Sequence, residues 1–129
     1  MLERGRLGVQ RFIMLSKIHR ATLTGTELDY EGSIAIDRDL IDAAQLLLGE
    51  QVHVLNINTG ARLVTYVIEA PAGSGTVMLN GPAARLGMRG DKVVILSYVG
   101  VSDEEARNMK PIVVHVDEAN RRVDRELAG

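Results

Sequence analysis

Apolar and polar residues alternate with a period of two along much of the chain. Ile13 to Leu23 reads as one β-rich segment, and Ser33-Ile34-Ala35-Ile36 as another, alternating apolar and small side chains. Val52 to Ile57 and Ala61 to Ile68 flank Asn58-Thr59-Gly60, a hairpin connection whose glycine can take positive φ. Thr76 to Leu79, Lys92 to Tyr98 and Ile112 to Val116 complete the predicted strands. The helical stretches are short. Asp37 or Asp39 can cap a helix whose apolar face is Leu40, Ile41, Ala44, Leu47 and Leu48, ended by Gly49. Pro82 opens a second, at a position where proline's missing N–H is tolerated. Ser102-Asp103-Glu104-Glu105 is a capping box for a third, which Pro111 closes. From Asn120 onward the chain is polar and expected to fray.

The pattern also echoes itself. Gly49-Glu50-Gln51-Val52-His53-Val54 and Gly90-Asp91-Lys92-Val93-Val94-Ile95 share the order glycine, acid, polar, valine, any, aliphatic. Each follows a helical stretch holding an alanine pair, Ala43-Ala44 or Ala83-Ala84. The agreement favours two related helix-turn-strand halves of a small barrel over chance recurrence.

Composition narrows the function classes. With 129 residues there is room for one domain, and 46% hydrophobic content suffices for a core. Three tyrosines and one phenylalanine leave packing to aliphatic side chains and argue against a base-stacking surface. A net charge of −2 gives no global field toward nucleic acid or anionic lipid. Cysteine is absent, which removes disulfides and thiolate chemistry and fits a reducing cytoplasm. No apolar run approaches the ~20 residues of a membrane helix. The first dozen residues carry Arg4, Arg6 and Arg11 against Glu3, without the apolar stretch of a signal peptide. Residues 1–12 read as an extension outside the fold, with Met14 an alternative start, and residues 118–129 as a polar tail.

Candidate chemistry is sparse. His19, His53 and His115 are scattered without ligand spacing, so no metal is expected. Gly73-Ser74-Gly75 lacks the lysine and helix of a phosphate loop and reads as a hairpin tip. Tyr30-Glu31-Gly32-Ser33 lies between two β segments. In a strained turn the Ser33 hydroxyl can attack the Gly32 carbonyl, turning the amide into an ester. Glycine has no Cβ to obstruct that attack and tolerates unusual backbone angles. β-Elimination then leaves dehydroalanine, which hydrolyses to a pyruvoyl group and ammonia. An ordinary turn serine is the competing reading.

Several stretches occur together and in order: Lys17-Ile18-His19-Arg20-Ala21-Thr22, Leu28-Asp29-Tyr30-Glu31-Gly32-Ser33, Asn58-Thr59-Gly60-Ala61-Arg62, Thr65-Tyr66 and Asn80-Gly81-Pro82-Ala83-Ala84-Arg85-Leu86. From about Met14 to about Asp117 the chain resembles the bacterial aspartate 1-decarboxylase family. The resemblance implies a mainly β, α+β fold, a six-stranded double-psi β-barrel with short helices over residues 13–117. It implies a homotetramer with active sites between subunits, and self-cleavage at Gly32-Ser33 into chains of residues 1–32 and 33–129. It implies a cytoplasmic enzyme turning L-aspartate into β-alanine for pantothenate and coenzyme A synthesis. The cofactor would be a covalent pyruvoyl group from Ser33, with neither pyridoxal phosphate nor metal.

The same resemblance distributes roles. Ser33 becomes the ketone that forms a Schiff base with the substrate. Arg62 clamps the side-chain carboxylate through its planar fork, and Lys17 adds a second positive charge. Tyr66 is the proton donor. Thr65 contacts substrate and supports the oxyanion during cleavage. In a regular strand Thr65 faces away from Tyr66, so its role requires a local twist or a contact to a neighbouring subunit. Asn80, Gly81, Pro82 and Ala83 form a turn holding the scissile region and the substrate carboxylate. Pro82 has no N–H, so donors there come from Gly81 or Ala83. His19 either lines the site near Lys17 or is a strand histidine, while His53 and His115 are read as structural. Two rivals remain open: an uncleaved barrel that binds a partner, and a pyruvoyl decarboxylase for another amino acid. Whether cleavage needs a helper protein is open too.

Overall fold

The computed structural model describes residues 8–124. In chain order these form β1 (Gln10–Thr22), β2 (Gly25–Glu27), β3 (Ser33–Asp37), α1 (Arg38–Ala43), β4 (Gln51–Asn56), β5 (Arg62–Ala70) and β6 (Val77–Asn80). A 3-10 helix (Gly81–Leu86), β7 (Lys92–Ser102), α2 (Asp103–Asn108), β8 (Ile112–Val116) and β9 (Arg122–Val123) follow. The fold is mixed α+β and dominated by one sheet in the order β2-β6-β3-β5-β4-β7-β1-β8-β9. β3–β5, β1–β8 and β2–β6 run parallel, and the other neighbours are antiparallel.

β1 and β2 are separated only by Leu23 and Thr24, yet they belong to opposite ends of the β2-to-β1 run. The chain bends between them, with a register shift after Ile18 and Arg20 at φ +65°. Leu23 N–H then donates to Asp91 C=O and Thr24 N–H to Val77 C=O, both at 2.8 Å. One continuous segment therefore draws the β6 side of the sheet back to the β7 side.

Alternation puts Ile18, Ile34, Ile36, Val52, Val54, Leu63, Val67, Leu79 and Ile95 into a single core. Fully burying each such side chain is worth about 1.5–3 kcal/mol, so aliphatics carry the stability. Phe12, Tyr30, Tyr66 and Tyr98 are all exposed. The sequence echo has a structural counterpart. Gly49 and Gly90 both take positive φ before their strands, at +84° and +95°. Val54 and Ile95, equivalent in the two stretches, are register partners, as a local two-fold axis between them requires.

Five expectations are corrected. The helix after Asp37 stops at Ala43, because Gln45 at φ +55° turns the chain and buries Leu46 instead, leaving Leu47 and Leu48 exposed. Gly73-Ser74-Gly75 is no hairpin tip, since β3 lies between β5 and β6. It wraps the buried Asp37 carboxylate, which accepts from Gly73 N–H at 3.0 Å and Gly75 N–H at 2.8 Å. β1 begins at Gln10, inside the expected extension: Gln10 pairs with Ser102, and Arg11 bonds the buried Asp103 at 2.6 Å. Asn120 is buried rather than frayed, its amide bonding Thr22 N–H, Thr22 C=O and Gly75 C=O, each at 2.8 Å. β2 and β9, absent from the expected strands, are only three and two residues long and exist through their partners. The remainder of the expected extension and tail, residues 1–7 and 125–129, lies outside the described residues.

Candidate active site

Ser33 opens β3 and is fully buried. It pairs in register with Asn80, the last residue of β6, and Asn80 Nδ2 donates to Ser33 Oγ at 2.9 Å. Ser33 Oγ in turn donates to Glu31 C=O at a long 3.4 Å. Asn80 is also the residue preceding the 3-10 helix, but its amide makes no capping bond there because it is committed to Ser33.

Gly81 begins that helix at φ +63° and lies flat against the Tyr30–Gly32 segment. A Cβ at Gly81 would stand 2.7 Å from Gly32 N and Tyr30 O. Pro82 Cδ approaches Gly32 from the same helix, 3.6 Å from where a Cβ would be. The backbone at 30–32 is thus held between its own turn and the Gly81-Pro82 corner.

Outside this corner opens a cleft of about 350 Å³ lined by Gly32, Leu63, Val64, Thr65, Tyr66, Pro82, Ala83 and Leu86. Thr65 and Tyr66 do face opposite sides of β5. Thr65 continues the inner row Ser16–Ser97–Val52, whereas Tyr66 is 39% exposed. Both line the cleft although β5 pairs with β4 in unbroken register, because β3 pairs with β5 only from Val67 onward. From Arg62 to Tyr66 no strand pairs with that edge of β5 among the described residues, so residues of either parity border the opening. Ser33 and Tyr66 are the residues immediately before the first β3–β5 pair, Ile34–Val67.

The structure does not bring every expected residue to the cleft. Arg62 starts β5 beside it, but its guanidinium turns to the β4 side and donates to His53 Nδ1 at 3.3 Å. Lys17 sits in the row Val113–Lys17–Leu96–His53–Val64, three strands from β5. At ordinary strand spacing that is ~14 Å, beyond a lysine's reach. His19 pairs with His115, ring centroids 5.6 Å apart and edge to face. Burial, then the charges of Lys17, His115 and Arg20, hold the His19 imidazole below its ordinary range. His19 Nδ1 and His115 Nε2 are buried without a hydrogen-bond partner among the described residues. No group of three or more potential metal ligands occurs among the described residues.

Leu63, Val64 and Leu86 were not expected at the cleft, and they make its wall largely apolar. The His53–Arg62 contact was also missed. Its signal was present in the hairpin, where extending the strands from Asn58-Thr59-Gly60 makes His53 and Arg62 diagonal neighbours.

The family model described as aspartate decarboxylase matches residues 9–123. Aspartate 1-decarboxylase 1 of Gloeobacter violaceus is 59% identical over 111 residues, 86% of this chain and 94% of that protein. Aspartate 1-decarboxylase of Phenylobacterium zucineum is 58% identical over 108 residues, covering 84% and 92%. The Thermoanaerobacter pseudethanolicus aspartate 1-decarboxylase is 54% identical over 116 residues, covering 90% and 99%.

Proposed function

The chain belongs to the aspartate decarboxylase family of enzymes, and from that premise we propose that it cleaves itself between Gly32 and Ser33 and then converts L-aspartate to β-alanine and CO₂, for pantothenate and coenzyme A synthesis. The observation that carries the cleavage is the Asn80 amide on the Ser33 hydroxyl, with Gly32 on the cleft wall and Gly81 pressed against the 30–32 backbone. Asn80 fixes which way the hydroxyl oxygen points, and the Gly81 corner limits how the 30–32 backbone can relax. Gly32, lacking a Cβ, leaves its carbonyl open to the adjacent oxygen. Thr65, on the cleft wall, supports the oxyanion that forms there.

These residues fit a pyruvoyl group at position 33, which adjoins Gly32 of the cleft wall and, like Tyr66, directly precedes the first β3–β5 pair. Formed there, that group would supply an electrophilic ketone and an electron sink for the decarboxylation. Tyr66 delivers the proton that replaces the lost carboxylate. Arg62 binds the substrate's side-chain carboxylate with its fork, and Gly81 and Ala83 N–H groups serve the other carboxylate. Pro82 contributes only wall. Apolar Leu63, Val64 and Leu86 exclude water and strengthen each of these polar contacts.

The position of Lys17 within one chain supports an assembly. Lys17, with His19 beside it, belongs to the cleft of a neighbouring copy, because within its own chain it stands three strands away. A homotetramer with sites between subunits meets that need. The barrel we assign is the six-stranded double-psi form. The bent β1–β2 segment, counted once with β3 to β7, makes six strands, and the Val54–Ile95 dyad supplies the two-fold relation of its halves.

Mass spectrometry of the purified protein, followed by an aspartate turnover assay, tests this reading. Fragments 1–32 and 33–129 are expected, the larger reactive to carbonyl reagents, with β-alanine as product. A single intact chain, unreactive and inactive after prolonged warming, overturns it.

A further inference from the structure

Two buried asparagines hold the helical wall of the cleft, one at each end. At the Gly81 end, Asn80 bonds Ser33. At the Leu86 end, Asn56 of β4, only 3% exposed, donates from Nδ2 to Leu86 C=O at 3.1 Å and to Asp91 Oδ2 at 2.9 Å. Its Oδ1 accepts from Asn58 and Thr59 N–H at 2.9 and 3.1 Å, so both protons and both lone pairs of the amide are engaged. Leu86 is the last residue of the 3-10 helix, where a carbonyl finds no partner within the helix. Its side chain borders two openings: the cleft itself, and a second groove of about 250 Å³ that Thr59, Ala61, Met88 and Asp91 also line. Leu86 is thus a partition, 40% exposed and outside the core. The bond to its carbonyl, more than packing, fixes where it stands.

We propose that Asn56 is a positioning residue for the cleft: through the Leu86 carbonyl it sets how far the helical wall stands from the β5 wall, and so how tightly substrate is held. This rests on the reading of that cleft as the aspartate site. One amide is joined to both walls. Its oxygen holds the Asn58-Thr59 turn that leads into β5, which supplies Leu63 to Tyr66, and its nitrogen holds Leu86 of the helix, which supplies Pro82 and Ala83. An aspartate at 56 would serve the turn but has no N–H for Leu86. The effect falls on substrate binding and not on maturation, because the scissile region is held at the opposite end of the helix, by Asn80 and Gly81.

The experiment separates the Leu86 bond from the stability of the network around it. The double variant Asn56→Asp, Asp91→Asn keeps the oxygen for the turn and reverses the 56–91 bond, but leaves Leu86 C=O without a donor. It is expected to cleave at the normal rate and to raise KM about fivefold or more, with kcat within about twofold. Asp91→Ala does the opposite: it removes the bonds that Asp91 accepts from Asn56 and Met88 N–H and spares the one to Leu86. Its urea midpoint falls, while its KM stays within about twofold of wild type. Asp91→Asn, which can keep all three bonds in neutral form, is the milder control should Asp91→Ala not fold. An unchanged KM in the double variant, or KM values that simply follow the urea midpoints, overturns the proposal. A crystal structure of the double variant reads the wall without turnover, and a Leu86 that has not moved relative to Leu63 and Val64 overturns it as well. A wild type inert toward aspartate, with Leu86 displaced in the double variant, refutes the substrate reading alone.

Discussion

Asn80 and Ser33 meet as a registered antiparallel pair, and the asparagine amide spends its donor on the serine hydroxyl at 2.9 Å. Both side chains are buried, so water cannot substitute for either. Asn80→Ala leaves the hydroxyl with only its 3.4 Å contact to Glu31 C=O and costs about 1–2 kcal/mol of stability. The sharper effect is on maturation, slowed about tenfold or more because the oxygen is no longer aimed. Time-resolved mass spectrometry checks this; a variant cleaving at the normal rate contradicts it.

Gly81→Ala is expected to be more damaging than its size implies. The new methyl would stand 2.7 Å from two backbone atoms of the 30–32 segment, at a φ that alanine adopts with strain. Neither neighbour is a flexible side-chain tip, so the segment itself must move. Loss of ~2 kcal/mol or more in denaturant unfolding and failure to cleave are both expected.

Tyr66→Phe separates turnover from folding. The ring is 39% exposed and lies outside the buried core, so stability shifts by no more than about 0.5 kcal/mol. Cleavage proceeds, while kcat falls about 100-fold or more as the proton donor is removed. A cleaved, fully active variant would remove Tyr66 from the reaction.

Acid stability has a specific source in Asp37. Burial opposes its ionisation, but N–H groups of Gly75, Asp39 and Gly73 outweigh that and hold the carboxyl below its ordinary range of 3.8. The folded value is therefore depressed. The associated stability is fully present above the unfolded value and is lost as pH falls from there through the folded one. Asp37→Asn keeps the shape, loses charge-assisted bonds worth about 1.5–3 kcal/mol each at most, and flattens this part of the acid profile. Urea midpoints measured between neutral pH and pH 3 test it; parallel curves for variant and wild type would exclude the role.

Local chemistry was legible wherever a few neighbouring residues suffice. The Asn58-Thr59-Gly60 turn forms with Gly60 at φ +80°, and Asn56 Oδ1 accepts from Asn58 and Thr59 N–H. The capping box at Ser102 and Glu105 closes in both directions. Asp37 caps α1, although the same carboxylate also receives a loop more than 30 residues away, which no local pattern announces. The end of α1 was misread for a related reason. Leu47 and Leu48 continue the apolar period, but Leu46 fills the core and a positive φ at Gln45 breaks the helix to deliver it.

By itself, then, the sequence determined the strand-rich pattern, the caps and turns, and a family likeness strong enough to direct attention to Gly32-Ser33. These depend on side-chain periodicity and on contacts within a few residues. The tertiary structure alone decided that Thr65 and Tyr66 both border one cleft, that Lys17 lies three strands from it, and that Arg62 leans on His53. Each of these turns on which strand lies beside which and where a pairing stops. Strand neighbours are chosen by the whole core closing at once, so alternation along one strand tells which face a residue takes but not what it meets there.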